Sequence, residues 1–295
     1  MSAVKNGSLA GFSRIALGTW RVLDWGMSSV ELARYLESCL DLGVSTIDSA
    51  DIYADYRCET VLGDALAQAP HLRHSLRFVS KCGIRLCSPR TPDVRVKHYD
   101  TSRAYIQGQV DGSLRALGLD RLDLLLIHRP DPLMDADEVA ETFCALKQSG
   151  KVAAFGVSNF APRQLELLQS RLPFALVANQ IECSLLKTEP LFDGALDQCQ
   201  RMRMMPMAWS PLGGGRLPGE AGPLGAAIGR IMKDTGLSPE QVALAWLLKH
   251  PAGIQPVIGS GRIDRVASAA RTVDFELSRQ QWFALLEAAQ GQPVP

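Results

Sequence analysis

The feature that most constrains this chain is an alternation. Short apolar or β-branched runs recur eight times, at residues 14–18, 45–49, 78–81, 122–128, 153–158, 176–180, 205–210 and 255–259, with longer amphipathic segments between them. The fourth run, LDLLLIH, is continuously apolar rather than alternating. A strand covered on both faces reads this way, because neither face meets water, and such strands belong to parallel sheets. The intervening segments read as helices. Residues 101–117 place Ile106, Val110, Leu114 and Leu117 on one stripe, and Gly118 follows as a stop. Ser238, Pro239 and Gln241 form a capping box with proline at the first helical position, and Ser278 with Gln281 repeats the box. Eight strand–helix repeats in 295 residues predict an α/β fold. The expected form is a single (β/α)8 TIM barrel over residues 1–295, with its active site at the C-terminal face of the strands. A doubly wound open sheet is the rival architecture.

Composition excludes several function classes. The 31 basic and 31 acidic residues balance, and no basic patch points to a nucleic-acid partner. No apolar run is long enough to cross a bilayer, and no clustered basic face suits an anionic membrane. The seven cysteines have irregular spacing and no C-x-x-C pair, so they read as free thiols in a reducing cytoplasm, without a metal site. The first twenty residues lack a basic segment followed by an apolar one, so no secretory signal is expected. Nothing announces a subunit interface, which leaves the oligomeric state open and a monomer compatible.

Barrel active sites gather where the strands end. Here those positions carry Asp48, Lys81, His128, Ser158 with Asn159, Gln180, Ser210 and Ser260. Apolar strands that repeatedly end in polar groups are most simply explained by one shared pocket. Tyr53 follows Asp48 in DSADIYADY. A phenol has an ordinary pKa near ~10, and an ammonium at Lys81 would lower it by stabilising the anion. Asp48 can hold Lys81, and His128 can orient a substrate oxygen. The set reads as a proton relay. Two long connections, residues 83–100 and 212–222, follow predicted strands and would border the same face.

No G-x-G-x-x-G follows any strand, so the Rossmann fingerprint is absent. PVIGSGRIDRV offers another phosphate site. Ser260 and Gly261 open onto a helix beginning near Arg262, and Arg262 with Arg265 adds two cations to free N–H groups.

The segments DSADIYADYRCETVLGDAL, FVSKCGIR, LDLLLIHRPDP, FGVSNF, NQIECS, AWSPLGGGRL and PVIGSGRIDRV together resemble the aldo-keto reductases, in particular their bacterial oxidoreductase branch. The resemblance covers roughly residues 12–290. It implies a barrel that binds NADPH extended, and a tetrad of Asp48, Tyr53, Lys81 and His128. Tyr53 would be the general acid in reduction of an aldehyde or ketone. Ser158, Asn159 and Gln180 match nicotinamide-amide contacts. Trp209 and Ser210 occupy the stretch that stacks on the ring. Ser210, Leu212 and Gly213 resemble pyrophosphate-side contacts, and Ser260, Gly261, Arg262 and Arg265 the 2′-phosphate site. Trp20 would wall the substrate pocket. One departure stands out: Ser268–Ala269 replaces the Glu–Asn that grips adenine in many members. A barrel that holds NADPH as a low-turnover redox sensor or regulatory subunit is the second reading, against which the complete tetrad weighs. A third, with Lys81 as a Schiff-base nucleophile, would leave Asp48 and Tyr53 without purpose.

Overall fold

The computed structural model describes residues 9 and 11–294. Eight parallel strands close into a barrel: β1 (Ala16–Gly18), β2 (Thr46–Asp48), β3 (Arg77–Cys82), β4 (Leu122–Ile127), β5 (Val152–Ser158), β6 (Ala178–Glu182), β7 (Met205–Trp209) and β8 (Gln255–Ile258). Closure is made by β1 against β8, with Ala16 opposite Val257 and Leu17 opposite Ile258. That pairing rules out the open sheet. Each expected strand is present, within a few residues of its predicted ends.

Residues pointing inward along the strands fill the barrel. Ala16, Val79, Leu124, Leu126, Ala154, Ala178, Met205, Met207 and Val257 make one buried cluster. Leu9 and Phe12 join it just ahead of β1, so they close the end from which the strands start. The alternate, outward residues pack under the helices. Helix α3 (Arg103–Leu117) buries Ile106, Val110, Leu114 and Leu117, the stripe read from the sequence. Its end is set by Gly118 at φ 64°, a left-handed conformation that costs glycine little. The capping boxes at Ser238 and Ser278 are formed, each serine accepting from the backbone N–H three residues on.

The two long connections are less irregular than their sequences suggest. The first carries a two-stranded antiparallel ribbon, Ile84–Arg85 against His98–Tyr99. The second holds two short 3-10 turns, Gly213–Gly215 and Leu217–Gly219. Both border the C-terminal rim.

Candidate active site

Two consecutive strands deliver the charged centre. Asp48 ends β2 and Lys81 lies one residue from the end of β3. Both are buried, Lys81 completely. The Lys81 Nζ donates to Asp48 Oδ2 at 2.9 Å, to the Ser49 carbonyl at 2.7 Å and to the Tyr53 hydroxyl oxygen at 3.1 Å. An ammonium has three donors, so all are used. Asp48 Oδ1 accepts from Gln180 Nε2 at 2.8 Å, across the barrel from β6. Burial opposes the Lys81 ammonium, but Asp48 and Tyr53 outweigh it and hold its pKa above the usual lysine value.

Tyr53 departs from expectation in one respect. Its burial pushes the phenol up more than Lys81 pulls it down, and Asp48 adds to the rise, so the net shift is upward. The sequence reading took account of the cation but not of the desolvation that comes with enclosing the ring. The phenol is therefore protonated at neutral pH. Its oxygen already accepts from Lys81, which leaves its proton unspent. His128 follows β4 and meets Tyr53 edge-on, ring centroids 5.7 Å apart. Burial, then Lys81, Arg129 and Lys97, push His128 well below the ordinary histidine value. It is a neutral imidazole, and its Nδ1 is buried without a partner.

The segment after Tyr53 is strained. Ala54, Asp55 and Tyr56 have φ of 50°, 56° and 60°, a left-handed stretch that costs about 1–2 kcal/mol per residue with a Cβ. Tyr56 ties it down, its hydroxyl accepting from the Leu86 N–H at 3.0 Å. Strain of this kind persists where the surroundings over-determine it, and here it fixes where Tyr53 starts.

A cleft of about 1280 Å³ opens over these groups. Of the sequence-predicted residues, Trp20, Asp48, Tyr53, His128, Ser158, Asn159, Gln180, Trp209, Ser210, Leu212, Ser260, Arg262 and Arg265 line it. Asn159 organises part of the wall: its Nδ2 donates to Ser158 Oγ at 2.7 Å, and its Oδ1 accepts from the Trp209 indole N–H at 3.0 Å. Three predicted residues stand back from the surface. Lys81 lies behind Asp48 and Tyr53. Gly213 is packed on Leu186, whose Cδ1 would sit 2.5 Å from an added Cβ. Gly261 lies against the Trp25 indole, 2.5 Å from where a Cβ would stand. Gly214 and Gly215 line the cleft beside Gly213.

The residues after β8 lead into α9 (Ile263–Arg271). The Arg262 N–H donates to Ser260 Oγ at 3.2 Å, and the Tyr35 hydroxyl donates to the Ser260 carbonyl. Arg262 is paired with Asp264, at 2.6 Å through Nη2 and 3.2 Å through Nε.

The profile of the Aldo/keto reductase family matches residues 14–290. The chain belongs to the aldo/keto reductase family. It is 51% identical over 287 residues to Oxidoreductase YdhF of Escherichia coli, covering 96% of each chain. It is 48% identical over 284 residues to a 6-dehydroglucose reductase of Agrobacterium fabrum, again covering 96% of each. Among solved structures, an aldo/keto reductase from Klebsiella pneumoniae in complex with NADP and acetate superimposes with a TM-score of 0.79 at 26% identity, over 99% of this chain and 95% of that one.

In this aldo/keto reductase several cleft residues carry no motif signal of their own. Arg21, Lys97, Tyr99, Arg129 and Gln241 all line the wall. Arg129 directly follows His128, and Lys97 sits in the long connection after β3, so position relative to the strand ends was the available clue. Gln241 was read only as a capping residue. It caps α8 (Pro239–Leu248) and donates from Nε2 to the Ser268 carbonyl at 3.1 Å, beside the Ser268–Ala269 departure. All seven cysteines are free thiols. Among the described residues, no group of acids, histidines or cysteines could hold a metal, and no helix is long and apolar enough to cross a membrane.

Proposed function

We propose that the protein is an NADPH-dependent reductase on one barrel domain, converting an aldehyde or ketone to the alcohol with Tyr53 as the proton donor. The observation that carries the reading is the 3.1 Å contact from Lys81 Nζ to the Tyr53 oxygen in the wall of the cleft. An ammonium that donates to the phenol oxygen leaves the phenol proton available. It also stands ready to stabilise the phenolate once that proton has gone. Asp48 fixes the ammonium, and Gln180 fixes Asp48. His128, neutral, donates a hydrogen bond to the carbonyl oxygen and so orients it beside Tyr53. In the reverse direction the phenolate is the base.

The residues present fit the cofactor. The His128 Nδ1, buried without a partner, and the Tyr53 phenol stand at the reacting end, and two guanidinium groups at a helix start border the same cleft. Ser158, Asn159 and Gln180 would hold the carboxamide, with Gln180 keeping its carbonyl oxygen after giving an N–H to Asp48. Trp209 and Ser210 would flank the nicotinamide. Ser210, Leu212 and the backbone at Gly213 would meet the pyrophosphate. Ser260, Gly261, Arg262 and Arg265 would receive the 2′-phosphate, which exchanges for Asp264 on Arg262. Bound NADPH would supply the hydride that the carbonyl carbon receives. Support comes from the Klebsiella relative, which holds NADP, and from relatives named as reductases. Trp20, 61% exposed, would wall the substrate side. A cytosolic location suits a chain whose thiols are all free.

The test is Tyr53→Phe. NADPH oxidation with an aldehyde panel that includes 6-dehydroglucose should fall by about 10²–10⁴-fold, while fluorescence titration still reports NADPH binding. Turnover at the wild-type rate in that variant would remove Tyr53 from the chemistry. Binding without turnover in the wild-type protein would instead favour a sensor.

A further inference from the structure

We propose that the substrate bears an anionic group, a carboxylate or a phosphate, set apart from its carbonyl, and that Arg129 receives it with help from Arg21 and Lys97. The inference rests on the reductase reading and names the substrate class for that same site.

Three cations from three different connections line the wall of one cleft. Arg21 follows β1, Lys97 lies on the loop after β3, and Arg129 follows β4. None of the three side chains makes an ion pair or hydrogen bond with a described residue. Of the four acids lining the cleft, Asp48 holds Lys81 at 2.9 Å, Asp55 faces Arg90 at 3.9 Å and Asp264 holds Arg262 at 2.6 Å, while Glu240 stands beside Gln241 at the start of a helix. Among the described residues, Arg21, Lys97 and Arg129 thus lack a paired acid in the cleft wall.

Arg129 is the centre of this set. It is half-buried, and its guanidinium carbon stands 5.7 Å from the centre of the Trp209 ring. Trp209 is itself fixed by its indole bond to Asn159, so the guanidinium rests against an anchored surface. A partly desolvated guanidinium has five donors, and leaving them without acceptors is costly. Its planar fork matches the two oxygens of a carboxylate or phosphate. Arg129 and Lys97 also lie close enough to His128 to act on its charge state, so an anion held there would belong to the molecule whose carbonyl His128 contacts. Arg21 stacks over Trp20 at 5.2 Å and sits at the mouth, where it can draw anions in. The cofactor's phosphates have their own cations in Arg262 and Arg265, on and just before α9.

The experiment compares kcat/KM of the holoenzyme for succinic semialdehyde, glyceraldehyde 3-phosphate, and the neutral butanal and glyceraldehyde. The expected result is a preference for one or both anionic aldehydes of about tenfold or more over the neutral counterpart. The two arms tell a carboxylate from a phosphate. The preference should shrink as salt rises from about 20 mM to about 300 mM, and should fall severalfold in Arg129→Gln. Calorimetric titration of the NADP+-loaded protein with succinate and with inorganic phosphate gives a readout without turnover: one of them should bind, and bind more weakly in Arg129→Gln. Neutral aldehydes reduced as well as anionic ones, or an anion preference untouched in Arg129→Gln, would overturn the inference and leave the reductase reading standing. No NADPH oxidation with any aldehyde would overturn that reading, and this inference with it.

Discussion

Replacing Lys81 with methionine tests the buried centre most directly. The side chain is fully buried, and its ammonium serves Asp48, Ser49 and Tyr53 at once. Methionine keeps most of the volume and removes the charge. Asp48, 2% exposed, would then retain only the Gln180 N–H at 2.8 Å. Removing one partner of a buried pair costs about 3–5 kcal/mol, because the other charge is left uncompensated. With a urea slope of about 3 kcal/mol/M, the midpoint should drop by roughly 1–1.7 M. The decisive comparison adds Asp48→Asn. The double variant keeps an amide opposite Gln180 and has no stranded charge, so its loss should be that of ordinary hydrogen bonds, about 1–3 kcal/mol. The double variant should therefore be more stable than Lys81→Met alone, though neither should reduce carbonyls. Urea unfolding of the wild-type protein, both single variants and the double variant closes the cycle. Additive losses would refute the reasoning, since they would mean that Asp48 tolerates burial without its cation.

Asp51 and Gly261 offer two further tests. Burial, and then Glu59, push the Asp51 carboxyl well above its ordinary value, and its Oδ2 has no partner. The folded protein thus holds this proton longer than the unfolded chain, and stability is lost as pH rises from about 4 through the folded value. Asp51→Asn keeps an acceptor for the Ile52 N–H and should gain about 1 kcal/mol or more at pH 8 but little at pH 4; urea midpoints at both pH values check this, and a less stable variant at pH 8 would contradict it. At Gly261, an alanine Cβ would fall 2.5, 2.8 and 2.9 Å from three carbons of the Trp25 indole. Overpacking of that kind costs about 1–3 kcal/mol and should displace the segment carrying Ser260 and Arg262. NADPH affinity should weaken in Gly261→Ala and recover when Trp25→Ala is added; an unchanged dissociation constant in Gly261→Ala would count against it.

The fold was legible because each level of the sequence agreed. The apolar run Leu124–Ile127 within LDLLLIH, short and one of eight, reads as a strand covered on both faces, and the stripe on residues 101–117 as a helix with one face covered. That these residues would share one cleft was legible because polar residues recur where strands end. What escaped is what depends on enclosure. The direction of the Tyr53 shift needs the depth of the ring as well as the identity of its neighbours. The retreat of Gly213 and Gly261 needs Leu186 and Trp25, which are far away in sequence. Arg129 was hidden because an arginine after a strand reads as a solvated charge until its lack of any acceptor is seen.

The charge states fit together in a way that sets the direction of the chemistry. Asp48 and Lys81 cancel, so the centre adds no net charge to the cleft. His128 is driven neutral and Tyr53 is driven protonated, both chiefly by burial. A neutral imidazole can still donate one hydrogen bond, yet it does not compete with the phenol as a proton source, because it holds no acidic second proton. On the proposed reading, the group at the reacting end that gives its proton to the substrate is therefore Tyr53, and Lys81 is the charge beside it that can balance the loss. The same partial desolvation that raises the phenol strengthens that balance, since a cation at 3.1 Å acts more strongly where water is partly excluded than in bulk water. On that reading, a phenol so placed holds its proton until a substrate oxygen gains electrons, and the ammonium then faces the phenolate that is left.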